Sequence, residues 1–350
     1  MYKSLKNTNN LDKELVPNLS YAYPLFFLSL ILISLVSILT LETVGGDASI
    51  YFSFSKNFWQ LPYSFREGGE VLHGATAPFW VLYLALFSDN FVALKIVNIL
   101  LIVSSFLFLI RTSPQYVLIP ILLLFSERFI YMNALVYEVA LLFPFLCVFL
   151  VAILNKSDDY SILVPSICLG LMIGIRPEAA MLSPLLMFRA YEQKTYTLPL
   201  LLVVGPISLY SLYMFIMTGD AIPASIVQRL MRHGVGSDGL FELVPRIGKI
   251  VINFNNNLVF FIIALLTFFL GYKYKQIYTV LAFTLALFLF LLVISEAARW
   301  RYFLITDILC AFCISFAISK LLQKDSLNSS IILVGTFLFF AAISGKFIEE

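Results

Sequence analysis

The chain has 350 residues, of which 61% are apolar and 13% charged, with a mean hydropathy of +0.93 and a formal net charge of +2. Soluble domains run at about 45–50% apolar and about 25% charged, so a water-soluble fold of this size is excluded. Disorder, a coiled coil, a collagen-like fibre and a disulfide scaffold fall with it, and so small a charge argues against nucleic acid as a partner. The apolar stretches are continuous runs rather than alternating strands, which predicts an all-α, polytopic transmembrane protein and not a barrel.

Residues 1–20 are polar and carry Lys3, Lys6 and Lys13. They read as a cytoplasmic tail. Tyr21–Leu41 is the first span, too long for a signal-peptide core and so an uncleaved anchor. Residues 42–90 form a first outer loop. Within it, Thr76–Phe87 is apolar but short, and Pro78 suits a helix first turn, predicting an interfacial helix. Further spans are expected over Phe91–Ile110, Gln115–Ser126, Val139–Leu154, Ser161–Ile175, Ala179–Ala190 and Thr197–Met217. A second outer loop, residues 218–257, precedes Leu258–Gly271, Ile277–Ile294, Tyr302–Ser319 and Ser329–Ser344. The sum is about 11 spans in one transmembrane domain over residues 1–350.

With the N-terminus in the cytoplasm, the inner segments carry 11 basic residues against 6 acidic ones, the direction the positive-inside rule requires. Both long loops then lie outside. Cys147, Cys168, Cys310 and Cys313 all fall inside apolar runs, where they read as packing residues rather than a redox or metal pair.

The residues with chemical potential gather at the outer ends. The first loop opens GGDASIYFSFSKNFWQ. Asp47 there is either a first-turn carboxylate favoured by the helix dipole or a general base at the membrane surface. Tyr51 follows one turn on. EVLHGATAPFW contains His73, with no second histidine at metal-ligand spacing. Glu127, Arg128 and Glu138 mark another outer end, and charges at membrane depth either pair or serve a site. GIRPEAAML places Arg176, Pro177 and Glu178 in the middle of an apolar run. Pro177 pushes the preceding residue out of helical geometry, so two helices meet at a break that either lines a cavity or holds a local Arg176–Glu178 pair. TGDAIPASIVQRLMRHGVG supplies Asp220, Arg229 and Arg232, the two arginines sharing one face if helical. SEAARWRYF supplies Arg299, Arg301 and Tyr302. Arginine's planar fork of donors suits phosphate. One aspartate and scattered carboxylates make no convincing divalent-cation site, so no cofactor and no metal ligand is assigned, and a divalent cation is left open.

In order, GDASIYFSFSKN, HGATAPFW, YEVALLF, IRPEAAML, TGDAIPASIVQR and RWRYF resemble the GT-C superfamily of membrane glycosyltransferases. The resemblance is to the branch holding the mycobacterial terminal arabinofuranosyltransferases, over residues 42 to 305. Gly46 stands where that branch has the first aspartate of a DD pair, His73 where it often has Glu, and Arg229 where it has Lys. The resemblance implies a GT-C-like fold in a bacterial inner membrane with its active site on the outer face. It implies a polyprenyl-phosphate sugar as donor and a glycan, lipid or protein hydroxyl as acceptor. Asp47 would be the catalytic base. Arg176, Arg229 and Arg301, backed by Arg232 and Arg299, would bind the donor phosphate. Tyr51, His73, Glu138, Glu178, Asp220 and Tyr302 would line the sugar or acceptor pocket. Three other readings compete: a transporter or flippase of lipid-linked sugars, an O-antigen-type polymerase or ligase, and, with Gly46 interrupting the DD pair, a catalytically inactive scaffold.

Overall fold

The structure is a computed structural model. It describes residues 22–222 and 304–322, apart from 41–42, 44, 61–63, 65–68, 72–76, 88–89 and 155–161. Among these the chain is mostly helical and contains no strand; one isolated bridge joins Ser64 and Val71.

The elements in chain order are α1 (Ala22–Leu39), α2 (Gly46–Lys56), α3 (Pro78–Ala85) and α4 (Phe91–Thr112). A 3-10 turn (Pro114–Tyr116) leads to α5 (Ile119–Leu124) and α6 (Glu127–Ala134). Then come α7 (Val139–Leu154), α8 (Leu163–Ile175), a second 3-10 turn (Pro177–Leu182), α9 (Ser183–Glu192), α10 (Thr197–Thr218) and, late in the chain, α11 (Leu304–Leu322).

Helices α1, α4 and α10 are each long and apolar enough to cross a membrane. A fourth crossing results if Pro114–Leu124 and Arg128–Ala134, bent at 78°, count as one broken span. Val139–Leu154, Leu163–Ile175 and Leu304–Phe316 are apolar but shorter. The expected spans at Leu258–Gly271, Ile277–Ile294 and Ser329–Ser344, the tail 1–20 and most of the second outer loop lie outside the described residues. Two short expected spans differ from single helices. Gln115–Ser126 is a 3-10 turn followed by the six-residue α5. Ala179–Ala190 begins in the second 3-10 turn and continues into α9. Prolines cause both breaks: Pro114 and Pro177 each open a 3-10 turn, and Pro120 and Pro184 sit in the first turn of the helix that follows.

Helix α7 lies at the centre. Leu142, Phe143, Leu146, Cys147, Phe149, Leu150 and Val151 are fully buried, between α4 on one side and α8 on the other. Helix α8 packs in turn on α10. Phe106 of α4, Phe129 of α6 and Phe143 of α7 form one aromatic cluster, with ring centroids 4.9–6.4 Å apart. The outward faces are hydrocarbon. Phe27, Ile31, Leu35 and Ile38 of α1 and Leu201, Leu209, Leu212 and Ile216 of α10 are all exposed. Such apolar stripes suit lipid, not water.

The expected interfacial helix over Thr76–Phe87 is α3, and it is anchored inside the protein. Trp80, Val81 and Leu84 are fully buried, and Pro78 occupies its first turn as the sequence predicts. Gly174 of α8 receives it: a Cβ there would come within 2.3 Å of the Phe79 ring. Only a residue without a side chain allows that approach.

Candidate functional site

Five charged side chains are buried among the described residues: Lys95, Arg128, Glu138, Arg176 and Asp307. All five lie near helix ends: Lys95 near the start of α4, Arg128 at the start of α6, Glu138 just before α7, Arg176 just after α8 and Asp307 near the start of α11. Burying a charge is costly unless it is paired or hydrogen-bonded, so each location has to be accounted for.

The break after α8 builds the first group. Arg176 is extended, at φ −146° and ψ 113°, because Pro177 disfavours helical geometry in the residue before it. That turns its side chain inward, to 4% exposure. Its Nε lies 3.5 Å from Glu178 Oε2 and one terminal nitrogen lies 3.8 Å from Glu138 Oε2. The same nitrogen reaches the Met132 sulfur at 3.9 Å. Arg176 is therefore embraced by two carboxylates. The local Arg176–Glu178 pair, one of the two readings open for this break, is present, and Glu138 joins it from the start of α7. Glu138 Oε2 is buried without a hydrogen bond, since its ion-pair distance to Arg176 is too long for one. Burial raises the Glu138 carboxyl above its ordinary value, and the Arg176 guanidinium works against that rise.

Glu138 is delivered by an unusual turn. Val136, between α6 and α7, has φ 60°, a left-handed conformation that β-branched residues rarely adopt. Its side chain is 1% exposed and shares a small core with Ala48 and Phe52 of α2 and Trp80 and Leu84 of α3. The packing offsets the backbone strain, and such strain tends to collect at functional sites.

Helix α2, which carries Asp47, begins against this turn. The Gly45 N–H donates to the Leu135 carbonyl at 3.1 Å, and Gly45 abuts the Tyr137 ring. Asp47 is thus two residues past a backbone contact with the turn that leads to Glu138. Gly45 is the N-cap residue and offers no side-chain cap. Tyr51, one turn along α2, packs against both neighbouring small cores, one around Trp80 and one around Phe54, Val81 and Met214. Asp220 is exposed just past the end of α10, its N–H bonded to Thr218 Oγ1 at 3.2 Å. His73, Arg229, Arg232, Arg299, Arg301 and Tyr302 lie outside the described residues, so the structure brings together Arg176, Glu138 and Glu178, with the start of α2 beside them.

Sequence reasoning missed two of the buried charges. Asp307 of α11 accepts from Ser126 Oγ at 2.9 Å and pairs with Arg128 at 3.2 Å, tying α11 to the start of α6. The available signal was a carboxylate inside the apolar run Tyr302–Ser319. Lys95 of α4 donates to the Thr40 carbonyl and, at 2.9 Å, to the Ala134 carbonyl. No protein-family model, curated protein or solved structure matches this chain.

Proposed function

We propose that this protein is a GT-C-type membrane glycosyltransferase of about 11 spans. It would move a sugar from a polyprenyl-phosphate donor to a hydroxyl acceptor at the outer face of a bacterial inner membrane. One observation carries the reading. Three segments singled out by sequence adjoin: the start of α2 with Asp47, the turn into Glu138, and the Arg176–Glu178 break.

In the proposed reaction Asp47 accepts the proton of the acceptor hydroxyl. The freed oxygen attacks the anomeric carbon, the bond from that carbon to the phosphate oxygen breaks, and polyprenyl phosphate departs with the electron pair. Glu138 and Glu178 accept hydrogen bonds from sugar hydroxyls, and Arg176 holds both carboxylates in place. Since Arg176 is already balanced by two carboxylates, we assign the departing phosphate to Arg229 and Arg301, with Arg232 and Arg299 behind them. Guanidinium groups aimed at developing negative charge are worth most where water is excluded. Tyr51, His73, Asp220 and Tyr302 complete the pocket in this scheme.

The purified full chain in lipid vesicles, given a labelled polyprenyl-phosphate sugar and an acceptor glycan, tests the reading. Transfer of label to the acceptor, lost in Asp47→Asn, is the expected result. Label that crosses the bilayer while still attached to its lipid would replace the transferase with a flippase.

A further inference from the structure

Lys95 sits one turn into α4 with 2% of its surface exposed. The oxygens around its ammonium belong to the ends of two other helices. One is the carbonyl of Thr40, which directly follows α1, with Thr40 Oγ1 at 3.4 Å. The other is the carbonyl of Ala134, the last residue of α6, at 2.9 Å. Carbonyls in the last turn of a helix lack intrahelical partners and form the negative pole of its dipole. Two such poles facing each other repel. An ammonium placed between them satisfies both and turns the repulsion into attraction.

What each helix end leads to gives this arrangement its meaning. Five residues after Thr40 comes Gly45, and then Asp47 on α2. Four residues after Ala134 comes Glu138, through the strained Val136. The two segments touch at several described residues. Thr40 Oγ1 donates to the Ala134 carbonyl at 3.1 Å, the Gly45 N–H to the Leu135 carbonyl at 3.1 Å, and Asn133 Nδ2 to Ser37 Oγ at 2.7 Å.

We propose that Lys95 is a positioning residue: its ammonium, clamped on the Thr40 and Ala134 carbonyls, fixes the start of the Asp47 helix against the Glu138 turn. The kinetic consequence rests on the glycosyltransferase reading; the structural consequence does not.

The test uses the full chain in detergent. Lys95→Met keeps the length and apolar stem but removes the charge and the donors. Hydrogen exchange is followed at the amides of Thr43, Gly45 and Tyr137, which bond to Thr40, Leu135 and Met132 carbonyls. Peptides spanning 40–47 and 134–138 should exchange about 10-fold faster or more, while peptides within α7 and α8 keep their protection. Lys95→Arg should restore protection in both segments. Unchanged exchange in both segments, or an equal loss throughout the chain, overturns the proposal. If Lys95→Met does not fold, Lys95→Gln, which keeps donors but not charge, should still loosen these two segments selectively. Its failure to do so overturns the proposal as well.

The second readout is transfer kinetics on folded protein. Misplacing reacting groups by about 1 Å costs on the order of 100-fold, so Lys95→Met should lower kcat by that order and leave the donor KM within about twofold. Lys95→Arg should recover most of kcat. Local loosening with wild-type kcat overturns the positioning role. Local loosening in a protein whose wild type shows no transfer rejects the glycosyltransferase reading and leaves the clamp standing.

Discussion

Gly45 lies so close to the Tyr137 ring that a Cβ at position 45 would fall 2.6 Å from the Tyr137 hydroxyl. Tyr137 is the neighbour of Glu138, and Gly45 caps the helix of Asp47, so this contact sets the spacing between the two carboxylate-bearing segments. Gly45→Ala must displace the ring or lift α2. Overpacking of this kind costs about 1–3 kcal/mol. We expect a lower melting temperature for Gly45→Ala, and a loss of transfer larger than the loss of folded protein. Unchanged melting would show that the ring moves aside freely.

Asp47→Asn separates a base from a helix-start residue. Asp47 lies two residues past the N-cap Gly45, so asparagine removes only its interaction with the helix dipole, about 0.3–1 kcal/mol, and its ability to take a proton. If Asp47 is the base, turnover should fall by about 10²–10⁴-fold with only a small change in melting. Normal transfer at normal melting would remove Asp47 from the mechanism.

The Arg176 group should respond to charge and to shape differently. Arg176→Lys keeps the charge but replaces the planar fork with a single ammonium that cannot serve Glu138 and Glu178 in the same geometry. We expect transfer to drop about 10-fold or more. Glu138→Gln leaves Glu178 on the guanidinium, so it should lower transfer with a smaller change in melting than Arg176→Lys. Equal activity of both variants and the wild type would take this cluster out of the pocket.

Asp307 is a structural test case. Removing one partner of a buried ion pair leaves the other charge uncompensated and costs about 3–5 kcal/mol. Asp307→Ala should therefore melt far below the wild type. The double variant Arg128→Met with Asp307→Leu should recover a large part of the loss, because two apolar side chains need no partner. A double variant no more stable than the single one would mean that the uncompensated Arg128 charge is not what destabilises Asp307→Ala, and a single variant that melts like the wild type would mean that the Ser126 and Arg128 contacts contribute little.

Features that announced themselves in the sequence were those enforced by local chemistry. The end of α8 before Arg176 follows from Pro177 alone, and the start of α3 follows from Pro78. The bounds of α7, Val139–Leu154, match the apolar run despite Pro144 inside the helix. In a packed apolar setting, neighbouring helices tolerate the missing hydrogen bond. The Arg176–Glu178 pair was readable because its members are two residues apart. Glu138 reads as a membrane-edge charge, but its convergence on Arg176 depends on how α7 and α8 pack, which no local pattern encodes. Lys95 was hidden for a different reason. Its partners are main-chain carbonyls 55 and 39 residues away, and a carbonyl belongs to every residue alike. The division of Gln115–Ser126 was signalled by Pro114 and Pro120, yet uniform hydrophobicity across the run masked it.

The Arg128–Asp307 pair has a consequence for biosynthesis. Its members are 179 residues apart, and Leu118 N and the Gln115 carbonyl also bond to Ser315 of the same late helix, 197 and 200 residues on. At about 5–20 residues per second, a ribosome needs on the order of 10–35 s to travel from Arg128 to Asp307. During that interval the Arg128 guanidinium cannot have the Asp307 carboxylate, and the late helix that holds the Gln115–Leu118 segment and the start of α6 has yet to be translated. Nascent chains halted before residue 307 should therefore be cut by protease around Arg128 more readily than the full chain.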